Sequence, residues 1–223
     1  MITILAPILS VILGYSVVLI LKPKQPKHLK LLLAFSGAFL LSVTVFDFLP
    51  EVFSMENKRI GLFIMIGILL QIILEFFSKG AEHGHVHISK TSTNFPWLLF
   101  ISLSIHSVLE GLPIEGHNHL LYGIIIHKLP IAIILSTFFL KSSLSKLQSF
   151  AFLVLFALMT PIGVVLSQQL EFFETYYYEI SALVIGIFLH ISTTILFESN
   201  EGHTFNFTKL MTIIAAIVLA YFI

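Results

Sequence analysis

The chain has 223 residues, 57% of them apolar and only 11% charged, with a mean hydropathy of +1.00, which excludes a water-soluble globular domain. Twelve basic side chains cancel twelve acidic ones, so the electrostatic footprint of a nucleic-acid binder is absent. Cysteine is missing, which rules out disulfides, thiolate metal sites and cysteine nucleophiles and leaves ten histidines as the main nitrogen donors.

Apolar runs fall at about 2–21, 29–49, 60–78, 95–114, 120–140, 147–169, 180–197 and 206–223. Each is close to the roughly 20 residues a helix needs to cross hydrocarbon. The runs are continuous rather than alternating, which is the pattern of spanning helices and not of barrel strands. The predicted fold is all-α: a polytopic membrane protein of eight transmembrane helices, one transmembrane domain over 1–223, with a histidine-bearing cytoplasmic loop at about 79–94. No positive charge precedes the first run, and Lys22, Lys24, Lys27 and Lys30 follow it, so it reads as a span and not as a cleavable signal.

Basic residues mark the cytoplasmic side of short loops. With the N-terminus outside, Lys22, Lys24, Lys27, Lys30, Lys79, Lys90, Lys141, Lys146 and Lys209 all fall inside, and only Lys58 and Arg59 fall outside. Glu171, Glu174 and Glu179 sit in the outer loop between the sixth and seventh spans. Both termini are therefore expected outside. Eleven lysines against one arginine, with much Ile and Phe, point to an AT-rich genome, and the small size fits a prokaryotic inner membrane.

A charge at mid-bilayer costs roughly 2.5–3.5 kcal/mol even on the lenient insertion scale, so ionisable residues within spans are where function is sought. The fourth span holds His106, Ser107 and Glu110 in the stretch HSVLEG, and the fifth holds His127, Lys128 and Pro130 in HKLP. His106 and Glu110 are four residues apart and share one helical face. Pro130 removes a backbone donor and is expected to kink its helix near His127. A short loop at 115–119 makes these spans antiparallel neighbours, with His106 and His127 at similar depth. Two imidazoles and a carboxylate then converge, a ligand set suited to zinc and tolerable to iron, manganese, cobalt or cadmium. Each motif alone is also what a helix-to-helix hydrogen bond looks like.

At these residues the sequence resembles the ZIP (Zrt/Irt-like) family of divalent-metal transporters. Its fourth-span His-Asn-x-x-Asp/Glu-Gly motif is matched by His106, Ser107, Glu110 and Gly111, and its fifth-span motif by His127, Lys128 and Pro130. Asp47, Leu49, Pro50 and Glu51 match the second-span pattern, and Thr160, Pro161 and Gly163 resemble the sixth-span proline-glycine motif. The resemblance implies import of metal into the cytosol, a mobile group of spans one, four, five and six against a scaffold of the others, and often a homodimer in the lipid bilayer.

The departures are informative, because members often hold two metals bridged by carboxylates. Here Lys128 stands where an acid is usual, Ile131 and Ala132 supply no carboxylate, Ser107 replaces asparagine, and Thr160 stands where some branches carry an acid. A fixed ammonium beside Glu110 replaces the electrostatic role of a second cation, with Ser107 in the same vestigial site, so one ion per site is expected. The same lysine could instead repel metal and leave a sensor that binds without transporting.

Glu115, His117 and His119 fall on the outer loop above the site, and Asp47 and Glu51 lie towards the outer end of the second span. They are placed to collect an incoming cation, although loop histidines also occur simply solvated, and the two acids also suit helix capping or interfacial anchoring. On the inner side, His83, His85 and His87 alternate in a flexible stretch that suits a receiving patch or an ordinary loop. No phosphate-binding loop is present, so ATP-driven pumping has no visible machinery. A rival reading is an intramembrane zinc hydrolase, with His106, His127 and His190 holding metal and Glu110 activating water. The expectation is a transporter and not an enzyme.

Overall fold

The computed structural model describes residues 1–21, 26–54, 59–81, 94–198 and 207–223. His83, His85 and His87 of the predicted inner loop, and Lys22, Lys24, Lys58 and Lys90, lie outside the described residues. Those residues form α1 (Ile2–Leu21), α2 (Pro26–Val43), a π-helical turn (Thr44–Phe48), α3 (Leu49–Phe53), α4 (Ile60–Ser78) and α5 (Trp97–Gly111). They continue through α6 (Asn118–Phe139), α7 (Lys146–Gln169), α8 (Glu171–Thr175), α9 (Tyr177–Glu198) and α10 (Phe207–Phe222), with no strand among the described residues.

Among the described residues, six helical rods are long and apolar enough to cross a membrane, α2 and α3 joining through the π turn into one of them. The other two apolar helices, α5 and α10, have 15 and 16 residues and fall short of the usual crossing length. The fourth apolar run, expected to be helical over 95–114, is thus trimmed at both ends. At its C-terminal end Pro113 has no N–H to give the Leu109 carbonyl, which takes the Leu112 N–H instead at 3.2 Å and closes a tighter turn. The connection to α6 accordingly runs over 112–117 rather than 115–119, with Gly116 at φ +83°, a left-handed conformation that suits glycine.

Two locally irregular stretches shape the second and fifth spans. The π turn comes just before Pro50, and the Thr44 hydroxyl donates to the Leu40 carbonyl at 2.7 Å. Such turns are frequent at functional sites. In α6 the helix continues across Pro130 without interruption. The Ser10 hydroxyl of α1 donates to the Ile125 carbonyl at 2.8 Å, supplying a polar partner just before the proline.

Lipid tails are as apolar as leucine, so helices associate in a membrane through close packing and polar contacts rather than hydrophobicity. The sequence meets this with glycines at the crossings. A Cβ at Gly111 would fall on the Thr160 carbonyl and one at Gly163 on the Val108 carbonyl, which fixes α5 tightly on α7. Large apolar side chains such as Leu62, Leu69 and Phe76 of α4 remain exposed on the outside of the bundle, an arrangement that suits lipid.

Among the described residues the packing of the main helices can be followed as two sets of four. In one, α1 lies on α6 and α7, α5 on α7, and α6 on α7; in the other, α4 lies on α9, α10 on α2, and α2 on α9. Packing of α2 on α6, more extensive than that of α6 on α7, and of α4 on α5 joins the two sets into one bundle.

Candidate metal centre

His106, Ser107 and Glu110 project from one face of α5, His127 and Lys128 from α6, and Thr160 from α7, all with 3% exposure or less. The His106 and Glu110 side chains meet across one turn, Nε2 lying 3.4 Å from Oε2. The two imidazole rings of His106 and His127 stand edge to face with centroids 6.4 Å apart. Leu103, Ile131 and Phe156 supply apolar walls, and the space left inside is about 10 Å³, near the room one water needs.

Glu110 divides its two oxygens between different partners. Oε1 accepts from the Lys128 ammonium at 2.6 Å and from the Thr160 hydroxyl at 2.7 Å. The ammonium also donates to Ser107 Oγ at 3.1 Å and sits 4.6 Å above the centre of the Phe156 ring. Oε2, by contrast, has no hydrogen-bond partner among the described residues, and neither do His106 Nδ1 and His127 Nδ1, although all three atoms are buried. Buried polar atoms left without partners are uncommon and call for an explanation such as an absent ion or water.

The arrangement as it stands is not a formed coordination shell. Among the described residues no three His, Asp or Glu side chains are placed to hold a metal ion together. A zinc ion requires its donors about 2.0–2.2 Å from one point, so the two rings must turn inward from their present separation. The structure nevertheless brings His106, Glu110, His127, Lys128 and Ser107 to a single pocket.

A second polar cluster lies where α3, the 112–117 turn and the start of α9 meet. His117 Nε2 is 2.7 Å from Glu51 Oε2, and His119 Nδ1 is 3.2 Å from Asp47 Oδ2. These four residues line one open cleft of about 240 Å³. Asp47 lies in the π turn and Glu51 in α3, one turn further on. His117 Nδ1 faces the Glu115 backbone carbonyl at 3.0 Å, which aims Nε2 at Glu51, and Tyr177 Oη lies 3.1 Å from the same Nε2. Glu115 itself does not join this group: its carboxylate accepts from Gln168 of α7 and lines a neighbouring cleft with Glu174 and Tyr177.

Three contacts were not legible as such in the sequence. Thr160 stands out there only as a missing acid, whereas its hydroxyl grips the site carboxylate. Tyr177 joins the outer cluster from α9 with no motif to announce it. His190, considered for a hydrolytic centre, does not line the pocket and instead pairs with Glu75 of α4 at 2.6 Å. Glu75 was the available signal, as an acid inside the apolar run 60–78.

No family model matches the chain. Over 89 residues it is 33% identical to a protein named zinc transporter ZIP1 from Danio rerio, and equally to one of the same name from Takifugu rubripes. The match covers 37% of this chain and 30% of each relative, so the chain spans less than a third of the length of these curated relatives. Both relatives are named as transporters and not as enzymes.

Proposed function

We propose that the chain is a divalent-metal transporter of the ZIP kind, crossing the membrane eight times with both termini outside and carrying one ion at a time into the cytosol. The carrying observation is the buried pocket shared by His106, Glu110 and His127, where Glu110 Oε2 and the Nδ1 of each imidazole have no hydrogen-bond partner among the described residues. Two nitrogens and a carboxylate oxygen favour zinc, with iron, manganese, cobalt or cadmium as further cargo. The similarity to two zinc transporters supports that order and argues against a hydrolytic enzyme.

In this reading Lys128 fills the place of a second cation. Its ammonium neutralises Glu110 in a low-dielectric pocket, and Ser107 accepts a second of its three N–H bonds. The binding site is then close to neutral when empty, so a divalent ion is held weakly enough to leave, which transport requires. The cleft of Asp47, Glu51, His117 and His119 would collect the ion at the outer end. Because His117 caps α6 and His119 lies in its first turn while Asp47 and Glu51 belong to the other set, their pairing ties the two sets together there.

The test is zinc flux into sealed vesicles holding the purified protein. Saturable flux that disappears in His106→Ala and in His127→Ala is expected. Zinc binding without flux in the wild type would replace the carrier with a sensor, and neither binding nor flux would end the metal assignment.

A further inference from the structure

Thr160 occupies a position from which it controls how the carboxylate can meet an ion. We infer that the Thr160 hydroxyl holds Glu110 so that it offers a single oxygen to the cargo, and thereby sets a preference for zinc-like ions over larger, oxygen-seeking ions such as manganese. The inference rests on His106, Glu110 and His127 being the ion site.

Thr160 and Lys128 bind the same oxygen but differ in what they fix. An ammonium is a point charge on a flexible stem and follows a carboxylate that turns. A threonine hydroxyl sits on a β-branched carbon with few rotamers. Here that carbon is carried by a helix locked to α5, since a Cβ at either Gly111 or Gly163 would strike the opposing backbone. The hydroxyl, 2.7 Å from Oε1, therefore orients the plane of the Glu110 carboxylate, while Lys128 supplies its counter-charge.

With Oε1 taken by two donors, the remaining oxygen is Oε2, buried, without a hydrogen-bond partner and 3.4 Å from His106 Nε2. One carboxylate oxygen with two imidazoles and a water makes a four-coordinate set, the number zinc adopts readily. Larger, harder ions take more oxygen ligands and use carboxylates through both atoms. Releasing the plane of Glu110 lets both oxygens turn to the ion with the ammonium following, which removes the bias against such ions.

The experiment is competition in sealed vesicles: zinc flux is measured against added manganese and against added unlabelled zinc, and the ratio of their potencies is the readout. Thr160→Val keeps the shape of the side chain and deletes the donor. The manganese potency relative to zinc is expected to rise about tenfold, the size of losing one hydrogen bond to a charged group, and Thr160→Ser is expected to restore the wild-type ratio. Should Thr160→Val not accumulate in the membrane, Thr160→Ala removes the same hydroxyl and is read in its place. A wild-type ratio in the hydroxyl-free variant that is read, or a serine variant that behaves like it, would overturn the assignment. A wild-type protein that carries no zinc would instead overturn the transporter reading, so the two failures are distinguishable.

Discussion

The Lys128 ammonium stands 2.6 Å from Glu110 Oε1, with neither side chain more than 2% exposed. Removing one member of such a buried pair strands the other charge without compensation, whereas removing both leaves no orphan. Lys128→Met is therefore expected to lower stability by about 3–5 kcal/mol. Adding Glu110→Gln should recover most of that loss. Thermal unfolding in detergent measures both, and a Lys128→Met protein as stable as the wild type would contradict the pairing.

The same pair sets the expected ion count. With the ammonium in place, one divalent ion is expected per pocket. Lys128→Glu supplies a second carboxylate beside Glu110 and removes the positive charge, which restores the electrostatic conditions for a second ion. Elemental analysis of the metal-loaded, washed protein should give one ion per chain for the wild type and two for the variant. Two ions in both would remove the surrogate role of Lys128.

How much of this was legible beforehand depends on the range of the interaction. The His106 and Glu110 contact is a four-residue helical spacing, and sequence carries it directly. Lys128 could be read as functional because a charge so deep in an apolar run has few structural excuses. The Thr160 contact depends instead on how α7 crosses α5, which no local spacing encodes; Gly111 and Gly163 signal that helices approach there but not which pair. The outer cluster was half legible for the same reason. His117, His119, Asp47 and Glu51 come together, while Glu115 is drawn aside by Gln168 from α7, a partner 53 positions further along the chain. The shortening of the fourth span could have been read locally, since Pro113 denies a hydrogen bond to Leu109.

The α5–α7 crossing gives a packing prediction with an internal control. A methyl group at Gly163 meets the Val108 carbonyl, so Gly163→Ala must push the helices apart or distort one of them. Overpacking of this kind costs about 1–3 kcal/mol. It also withdraws Thr160 from Glu110, so zinc uptake should fall along with the melting temperature. At Gly61, near the start of α4, an added Cβ meets nothing within 4 Å. Gly61→Ala should leave both properties unchanged or slightly raise stability, since alanine is the better helix former. Equal damage from the two substitutions would show that the crossing is not tight.

The outer cleft should affect capture more than turnover. His117 and His119 are separated in sequence from His106 and Glu110 and line a different space. Their pairs with Glu51 and Asp47 are partly exposed, so each is expected to contribute about 0.2–1 kcal/mol. If capture draws on both, replacing both histidines with alanine should raise the zinc concentration needed for half-maximal uptake about two- to thirtyfold, with the maximal rate unchanged. If the ion pairs chiefly hold the two helix groups together, the maximal rate will move instead, because breaking them alters the motion and not the capture. Uptake that is unaltered at low and at saturating zinc would deny the cleft either role.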